Sequence, residues 1–494
     1  MFAESHGDNF YWAMSAVRGR QSEWLGQFFN ATGVAFWRKI VAVAYFGLKG
    51  KSSQPKNARR LMIWIYRLLF LPVLICMLPY YIWRMWRRGG YRHDFHHRFG
   101  LIDRPPPKPR GVRRVWIQAV SVGEAQALGP LIESLRAQPN IQIVVTTTTS
   151  TAYQILRERV ATNVLKIGIF PLDFWPFSRN AWRRLEPDVA VLMEAELWPE
   201  HLVQAHSRGV PVVLINGRMS DRSFRRYQHA APVARWLLGQ LRLVLCATPT
   251  DGERFLALGA DPAHTRVTGS LKFDVPAGPP MNAADRATLR EELGFVADDQ
   301  LKTPLVLLGS STWDGEELML IEALQAALAA GLDARLLLVP RHAERRQAVI
   351  TLLENQPLPW HARSNSARAP KAVKIYLGDT TGELARLTQA ADLAFIGKSL
   401  PPHNGGQTPI EAAALGLPLV YGPHMSNFRD ICRSLEEAGA AVRAEDAAAV
   451  KTMLLELMRD PARRVKMGAA ARAWHSANQG ATARTTEAIE SMLK

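Results

Sequence analysis

"WIQAVSVGEAQALGPLIESL" (Trp116–Leu135) decides how the rest of the chain is read. Its opening apolar run predicts a buried strand, Ser121 and Gly123 a short loop, and the Ala/Leu-rich remainder a helix whose first turn carries Glu124. From about residue 112 the same unit recurs. Short β-branched runs, among them "IQIVVTTTTS", "VAVLMEAELW", "VPVVLING" and "LRLVLCAT", alternate with helical patterns such as "STAYQILRERV". Alternation of this kind predicts a parallel sheet wrapped by helices.

A Pro/Gly-rich break, "DVPAGPPMNAAD" (Asp274–Asp285), separates this series from a second: "PLVLLGSS", "ARLLLVPRH", "KIYLGD", "LAFIGK" and "LPLVYGP". The fold class expected is α/β, with two Rossmann-like domains facing a cleft. This is the GT-B arrangement. The expected division is residues 1–92 as extension and membrane-anchoring helix, 93–275 as the first Rossmann-like domain, and 276–494 as linker and second Rossmann-like domain.

The 494 residues are 48% hydrophobic and 21% charged, an ordinary globular composition with room for two cores. Cys76, Cys246 and Cys432 are too few and too scattered for a disulfide framework or a thiolate metal cage, and fit a reducing compartment. Of the net charge of +17, +15 falls in residues 1–114, which hold 20 basic and 5 acidic side chains. The body is therefore close to neutral and lacks a nucleic-acid reader motif, so no nucleic-acid partner is expected. The basic region also holds "LMIWIYRLLFLPVLICMLPYYIW" (Leu61–Trp83), broken by Arg67 and two prolines, which predicts a membrane anchor. Basic residues on both flanks leave open whether it spans or lies in one leaflet. Upstream, "WLGQFFNATGVAFWRKIVAVAYFGLK" (Trp24–Lys49) reads as a second, interfacial apolar stretch. His93, His96 and His97 in "HDFHHRFG" invite a metal reading, but no companion ligand cluster is evident and none is expected.

The second half carries phosphate chemistry. In "LVLLGSSTWDGEE" a strand is expected to end at Gly309, with Ser310 and Ser311 ahead of a helix whose N-terminus can hold an anion. Hydroxyl residues there also serve as ordinary caps. "PRHAERR" places Pro340, Arg341 and His342 at another strand end, and "LGDTTGEL" places Thr381, Gly382 and Glu383 at a third. Glu411 of "GGQTPIEAAALGLP" opens a helix, where it can accept hydrogen bonds from ribose hydroxyls or simply favour the helix dipole.

The motifs "AVSVGE", "EAELWP", "GSLKFD", "GSSTWDGEE", "PRHAER", "LGDTTGEL" and "GPHMSNF" follow one another in a fixed order. From roughly residue 61 to 494 the chain resembles the 3-deoxy-D-manno-octulosonic acid (Kdo) transferases, membrane-associated GT-B enzymes of lipopolysaccharide synthesis. The resemblance implies transfer of Kdo from CMP-Kdo to a lipid A precursor, with inversion. It implies Glu124 as general base, Glu194 as transition-state stabiliser, and Lys272 as the cation neutralising the sugar carboxylate or departing phosphate. It also implies that Pro340, Arg341, Thr381, Gly382, Glu383, Gln407, Thr408, Pro409 and Glu411 hold CMP. No metal or cofactor is expected, because the chain lacks an Asp-x-Asp metal motif and cations with helix dipoles can offset leaving-group charge. The location implied is the inner membrane, anchored by the N-terminal segment, with the catalytic domains on the cytoplasmic side.

Two details stand apart from that pattern. In "GKSLPPHNGGQTPIEAA", Lys398 stands where the family has glycine, and Gln407–Thr408 where it has His–Asn. The altered loop keeps open a GT-B enzyme using a different nucleotide sugar, and the basic N-terminus keeps open a non-catalytic membrane-associated scaffold. Glu194 and Glu196, two apart at a strand end, are expected to point the same way, with Arg218 as a structural partner for the pair.

Overall fold

The computed structural model describes residues 55–88, 94–276, 278, 281–297 and 303–493. The apolar stretch Trp24–Lys49 and His93 lie outside them. The chain forms two compact units: the first runs to Leu271 and takes back Ala481–Lys494, and the second is Lys272–Gly480.

The first unit is built on β1 (Arg113–Ala119), β2 (Ile141–Thr147), β3 (Lys166–Ile169), β4 (Val189–Met193), β5 (Val212–Gly217), β6 (Leu243–Cys246) and β7 (Thr265–Val267). All are parallel, in the order β3-β2-β1-β4-β5-β6-β7. The second has β8 (Leu305–Thr312), β9 (Ala334–Pro340), β10 (Trp360–Ala362), β11 (Ile375–Leu377), β12 (Leu393–Ile396), β13 (Leu419–Tyr421) and β14 (Ala441–Arg443). These too are parallel, in the order β10-β11-β9-β8-β12-β13-β14. Helices cover both faces of each sheet, which is why a strand such as Val189–Met193 is apolar and buried throughout rather than alternating.

Each sheet reverses its winding once. In the first unit the reversal lies between neighbours β1 and β4, and in the second between β8 and β12. The connections that follow two such strands leave to opposite faces, so the strand ends between them stay uncovered and ligands bind there. The residues after β1, β4, β8 and β12 are therefore the ones to inspect.

The final helix does not follow the expected boundary of 276–494. Ala481–Ser491 packs back on the first unit, with Arg484 Nε donating to the Thr268 carbonyl at 2.9 Å and Thr486 Oγ1 to Ser134 Oγ at 2.9 Å. An apolar stripe tells a helix to cover a sheet, not which sheet.

The long N-terminal helix α1 (Pro55–Arg88) has two characters. One side docks: Ile63 joins the first unit's core, Tyr66 donates to the Asp173 carboxylate at 2.6 Å, and Arg67 makes two bonds of 2.9 Å to the buried Glu200. The other side exposes Leu61, Trp64, Leu68, Leu71, Ile75, Leu78 and Ile82 to between 43 and 75%. Their spacing alternates three and four, which makes one continuous stripe. Among the described residues, no helix is long and apolar enough to cross a membrane.

Arg67→Ala strands Glu200, whose side chain is fully buried, with only Gln204 as a neighbouring donor at 2.7 Å. Breaking such a pair costs about 3–5 kcal/mol. Urea denaturation should show a loss of that order, and a loss below about 1 kcal/mol means that the pair does not fasten the helix.

Candidate active site

In the first unit, β1 leads through Ser121 into the short helix α2 (Val122–Ala127). Ser121 caps it, accepting from the Glu124 N–H at 3.3 Å, and Glu124 returns the favour. Its carboxylate accepts from the Ser121 hydroxyl at 2.9 Å and from the Val120 N–H at 2.8 Å. This is a variant of the Ser-x-x-Glu capping box, a signal present in "SVGE". The side chain is 4% exposed, so its position is fixed.

The neighbouring strand β4 stops at Met193, and Glu194 turns into the left-handed region with φ +56°. Asn216, at the end of the adjacent β5, does the same with φ +50°. Each costs about 1–2 kcal/mol in a residue with a side chain. The expectation that Glu194 and Glu196 share a strand face fails for this reason: past Met193 the chain is a turn, and strand alternation no longer governs it. Arg218 does approach Glu194, at 3.9 Å.

Glu196 is the residue the sequence undervalued. Burial pushes its pKa up from 4.5 to about 7, and the charges of Glu124 and Glu194 push the same way. Three carboxylates, one from helix α2 and two from the turn after β4, thus interact at one switch point, and repulsion there favours keeping a proton on Glu196 near neutral pH. Sequence spacing shows two of these acids as a pair, but the burial of a loop side chain has no periodic signature.

The second unit's switch point gathers the donor candidates. Ser310 and Ser311 lie within β8, which continues to Thr312; the expected stop at Gly309 is wrong. Helix α3 (Glu316–Ala329) begins only after Gly315, so the serines are strand residues and not helix caps. The Ser310 carbonyl accepts from the Gly397 N–H at 2.9 Å, and Ser311 has φ +54°. A Cβ at Gly397 would stand 2.3 Å from the Ser311 carbonyl oxygen, so only glycine lets the two chains approach.

From β9, Pro340 ends the strand, the Arg341 N–H donates to the Thr312 carbonyl at 3.1 Å, and the His342 ring meets Trp313 edge-on at 5.1 Å. The Arg341 side chain is exposed. Gln407 returns to the same place, donating its N–H to the Gly397 carbonyl at 3.1 Å. Thr408 Oγ1 accepts from the Ile410 N–H at 3.3 Å, and Pro409 leads into α4 (Ile410–Ala414), with Glu411 half-buried in its first turn. Ser310, Ser311, Arg341, His342 and Gln407 therefore meet around the ends of β9, β8 and β12.

Glu383 stands apart from that group. Arg363 grips its carboxylate with two nitrogens and Thr380 donates a further bond, which holds its pKa below the usual range. Arg363, outside every quoted motif, also reaches Glu292 at 3.2 Å and Tyr376 at 3.2 Å. The Thr381–Glu383 turn, with Gly382 at φ +89°, is thus tied to the body of its unit. Lys272 is half-buried in the short turn Leu271–Phe273, the first residue of the second unit.

Asp94, His96 and His97 bring potential ligand atoms within 4.8 Å of one another. Their hydrogen bonds serve another end. His97 Nδ1 accepts from the Ile169 N–H at 3.3 Å, so a neutral ring carries its proton on Nε2, and the Tyr153 hydroxyl donates to Asp94. Ligation through Nε2 would need the opposite tautomer. The group fits a loop fastened to β3 better than it fits a metal.

Comparison with known proteins adds the following. A family model described as 3-deoxy-D-manno-octulosonic-acid transferase matches residues 93–275, and one described as glycosyl transferases group 1 matches residues 334–474. A 3-deoxy-D-manno-octulosonic acid transferase of Bordetella pertussis is 37% identical over 423 residues, covering 84% of this chain and 95% of the relative. One of Haemophilus influenzae is 29% identical over 430 residues, covering 86% and 95%. Among solved structures, UDP-GlcNAc 2-epimerase from Neisseria meningitidis bound to UDP-GlcNAc matches with a TM-score of 0.53 at 12% identity, over 77% of this chain and 99% of that one. That likeness is one of fold, two parallel-sheet α/β units of the GT-B kind.

The raised pKa of Glu196 has a consequence for stability. Between its ordinary 4.5 and about 7 the folded chain binds more protons than the unfolded chain, so stability falls as pH rises through that window. Glu196→Gln removes the titration. In urea unfolding, the advantage of Glu196→Gln over wild type should be larger at pH 8 than at pH 5, and an equal difference at both would show that Glu196 titrates normally.

Proposed function

Because the chain belongs to the 3-deoxy-D-manno-octulosonic acid transferase family, we propose that it moves Kdo from CMP-Kdo onto a sugar hydroxyl of a lipid A precursor, with inversion and with Glu124 as general base. The observation that carries this reading is the buried, cap-fixed carboxylate of Glu124 at the switch point of the first sheet, within electrostatic reach of Glu196. The acceptor oxygen forms a bond to the anomeric carbon while the bond from that carbon to the CMP phosphate oxygen breaks, its electron pair leaving with CMP. The hydroxyl proton passes to Glu124. Glu194, displaced from the strand by its left-handed backbone, stabilises charge at the reacting centre, and Glu196 beside it holds a proton that limits repulsion among the three acids.

On the donor side, Arg341 offers a planar fork suited to phosphate, with Ser310, Ser311 and the 407–411 segment around it. Lys272 supplies a further cation for the sugar carboxylate or the departing phosphate. Helix dipoles and these cations offset leaving-group charge without a metal or other cofactor.

The reading extends to location. The exposed stripe of α1 is apolar along seven positions, while its opposite side is fastened to the first unit. A helix of that kind lies in the bilayer interface with its stripe among the acyl chains. The stripe supports a reading in which the enzyme lies on the cytoplasmic face of the inner membrane, beside a lipid acceptor.

Glu124→Gln is a clean test because glutamine also serves in a capping box, so the helix start survives. Mass spectrometry of the lipid product should show transfer reduced by about 10²–10⁴-fold, with CMP binding retained. Transfer at the wild-type rate confines Glu124 to capping. For the membrane face, the triple change Leu68→Ser, Leu71→Ser and Ile75→Ser should release the protein from phospholipid vesicles. If the variant sediments with vesicles as wild type does, another surface does the attaching.

A further inference from the structure

Lys398 is the second residue after β12, and its backbone is left-handed, φ +59°. It shares that property with Ser311 on the neighbouring strand β8, so both strand ends at this switch point carry a side chain on strained backbone. The strain is held from several sides. Glu316, 1% exposed, accepts N–H bonds from Trp313 at 2.8 Å, Lys398 at 2.8 Å, Ser399 at 2.9 Å and Leu400 at 3.3 Å. The Lys398 carbonyl accepts in turn from the Gly406 N–H at 3.1 Å. A loop clamped at both amide groups of one residue does not relax to spare that residue.

The side chain is placed as firmly as the backbone. Its ammonium stands 4.6 Å from the centroid of the Trp313 ring, and the same ring is flanked by His342 at 5.1 Å and His403 at 5.2 Å. Lys398 is half-buried, yet among the described residues no carboxylate lies within 4 Å of its ammonium. A ring face attracts a cation without neutralising it. An ammonium that has lost part of its water, has no counter-charge, and sits beside Ser311 and the strand end bearing Arg341 is arranged to receive an anion.

We propose that Lys398 is a donor-recognition residue: its ammonium, braced on Trp313, takes an anionic oxygen of the nucleotide-activated acid sugar, from either the phosphate or the sugar carboxylate. This rests on the Kdo-transfer reading above. With the sugar carboxylate as its partner the residue also sets donor specificity, since a neutral nucleotide sugar offers only the phosphate.

The test uses the full-length protein and two probes, CMP by calorimetry and CMP-Kdo by steady-state transfer. Lys398→Met keeps the length and the contact with Trp313 but loses the charge. If the phosphate is the partner, its Kd for CMP should rise about tenfold. If the sugar carboxylate is the partner, CMP binding should be unchanged while KM for CMP-Kdo rises by about the same factor. Lys398→Arg should recover most of either loss. Lys398→Gly relieves the strained φ, so it should unfold about 2 °C higher while binding donor as weakly as the methionine variant, a pairing that a merely structural lysine does not produce. Wild-type values for both probes in Lys398→Met would overturn the assignment alone. A wild-type protein that neither binds CMP nor turns over CMP-Kdo would overturn the transfer reading, and this one with it.

Discussion

The reversal of winding within each sheet is the constraint on which the site depends. Where β1 meets β4, and where β8 meets β12, the chain must leave adjacent strands toward opposite faces. The turn is sharpest at those ends. Among the described residues, four of the six side-chain-bearing positions with positive φ follow from it or lie next to it: Glu194 and Asn216 in the first unit, Ser311 and Lys398 in the second. Left-handed backbone aims a side chain where a strand or helix would not, and each such residue persists only because neighbouring hydrogen bonds over-determine it. The conformational cost and the chemistry therefore fall on the same residues.

Two buried glutamates show how such bonds separate a structural acid from a chemical one. Glu316 receives four backbone N–H groups, which offset the upward push that burial gives its pKa. Its acceptor capacity is filled, and it acts as a clamp. Glu124, similarly buried, is fixed by one backbone N–H and the hydroxyl of its own helix cap, and its charge adds to the upward push on the Glu196 pKa. The switch points also differ in charge: acids gather at the first, whereas Arg341, Lys398 and hydroxyls gather at the second.

The sheets were legible because buried parallel strands are continuous apolar runs, and "VAVLM" or "ARLLLVP" has no other reading between two helical patterns. The order of strands in space left no such trace, and neither did the return of Ala481–Ser491 to the first unit. Among candidate site residues, Glu124, Ser310 and Arg341 sit in motifs near strand ends, a placement that sequence displays. Glu196 and Arg363 were undervalued or missed because their properties arise from burial and from partners distant in sequence, Glu124 for one and Glu292 for the other. The extent of β8 was misread for a related reason: hydroxyl residues before a helix resemble caps, and only the pairing of Thr312 with Pro340 shows that the strand runs on.

The N-terminal helix is tied into the first unit more closely than the word anchor implies. An anchor that is only a tether can be cut away with no effect on the enzyme. Here Tyr66 and Arg67 bind Asp173 and Glu200, and Asp173 in turn accepts the Glu200 N–H at 3.2 Å and the His201 N–H at 3.0 Å, the start of the helix that follows "EAELWP". Removing α1 would leave two buried acids without their main partners, and burial already pushes the Asp173 pKa up to about 7. The loop carrying Glu194 and Glu196 runs directly into that helix. The exposed apolar stripe of α1 and the loop carrying Glu194 and Glu196 are thus fixed by one set of buried hydrogen bonds, so a shift of the helix is passed to the loop.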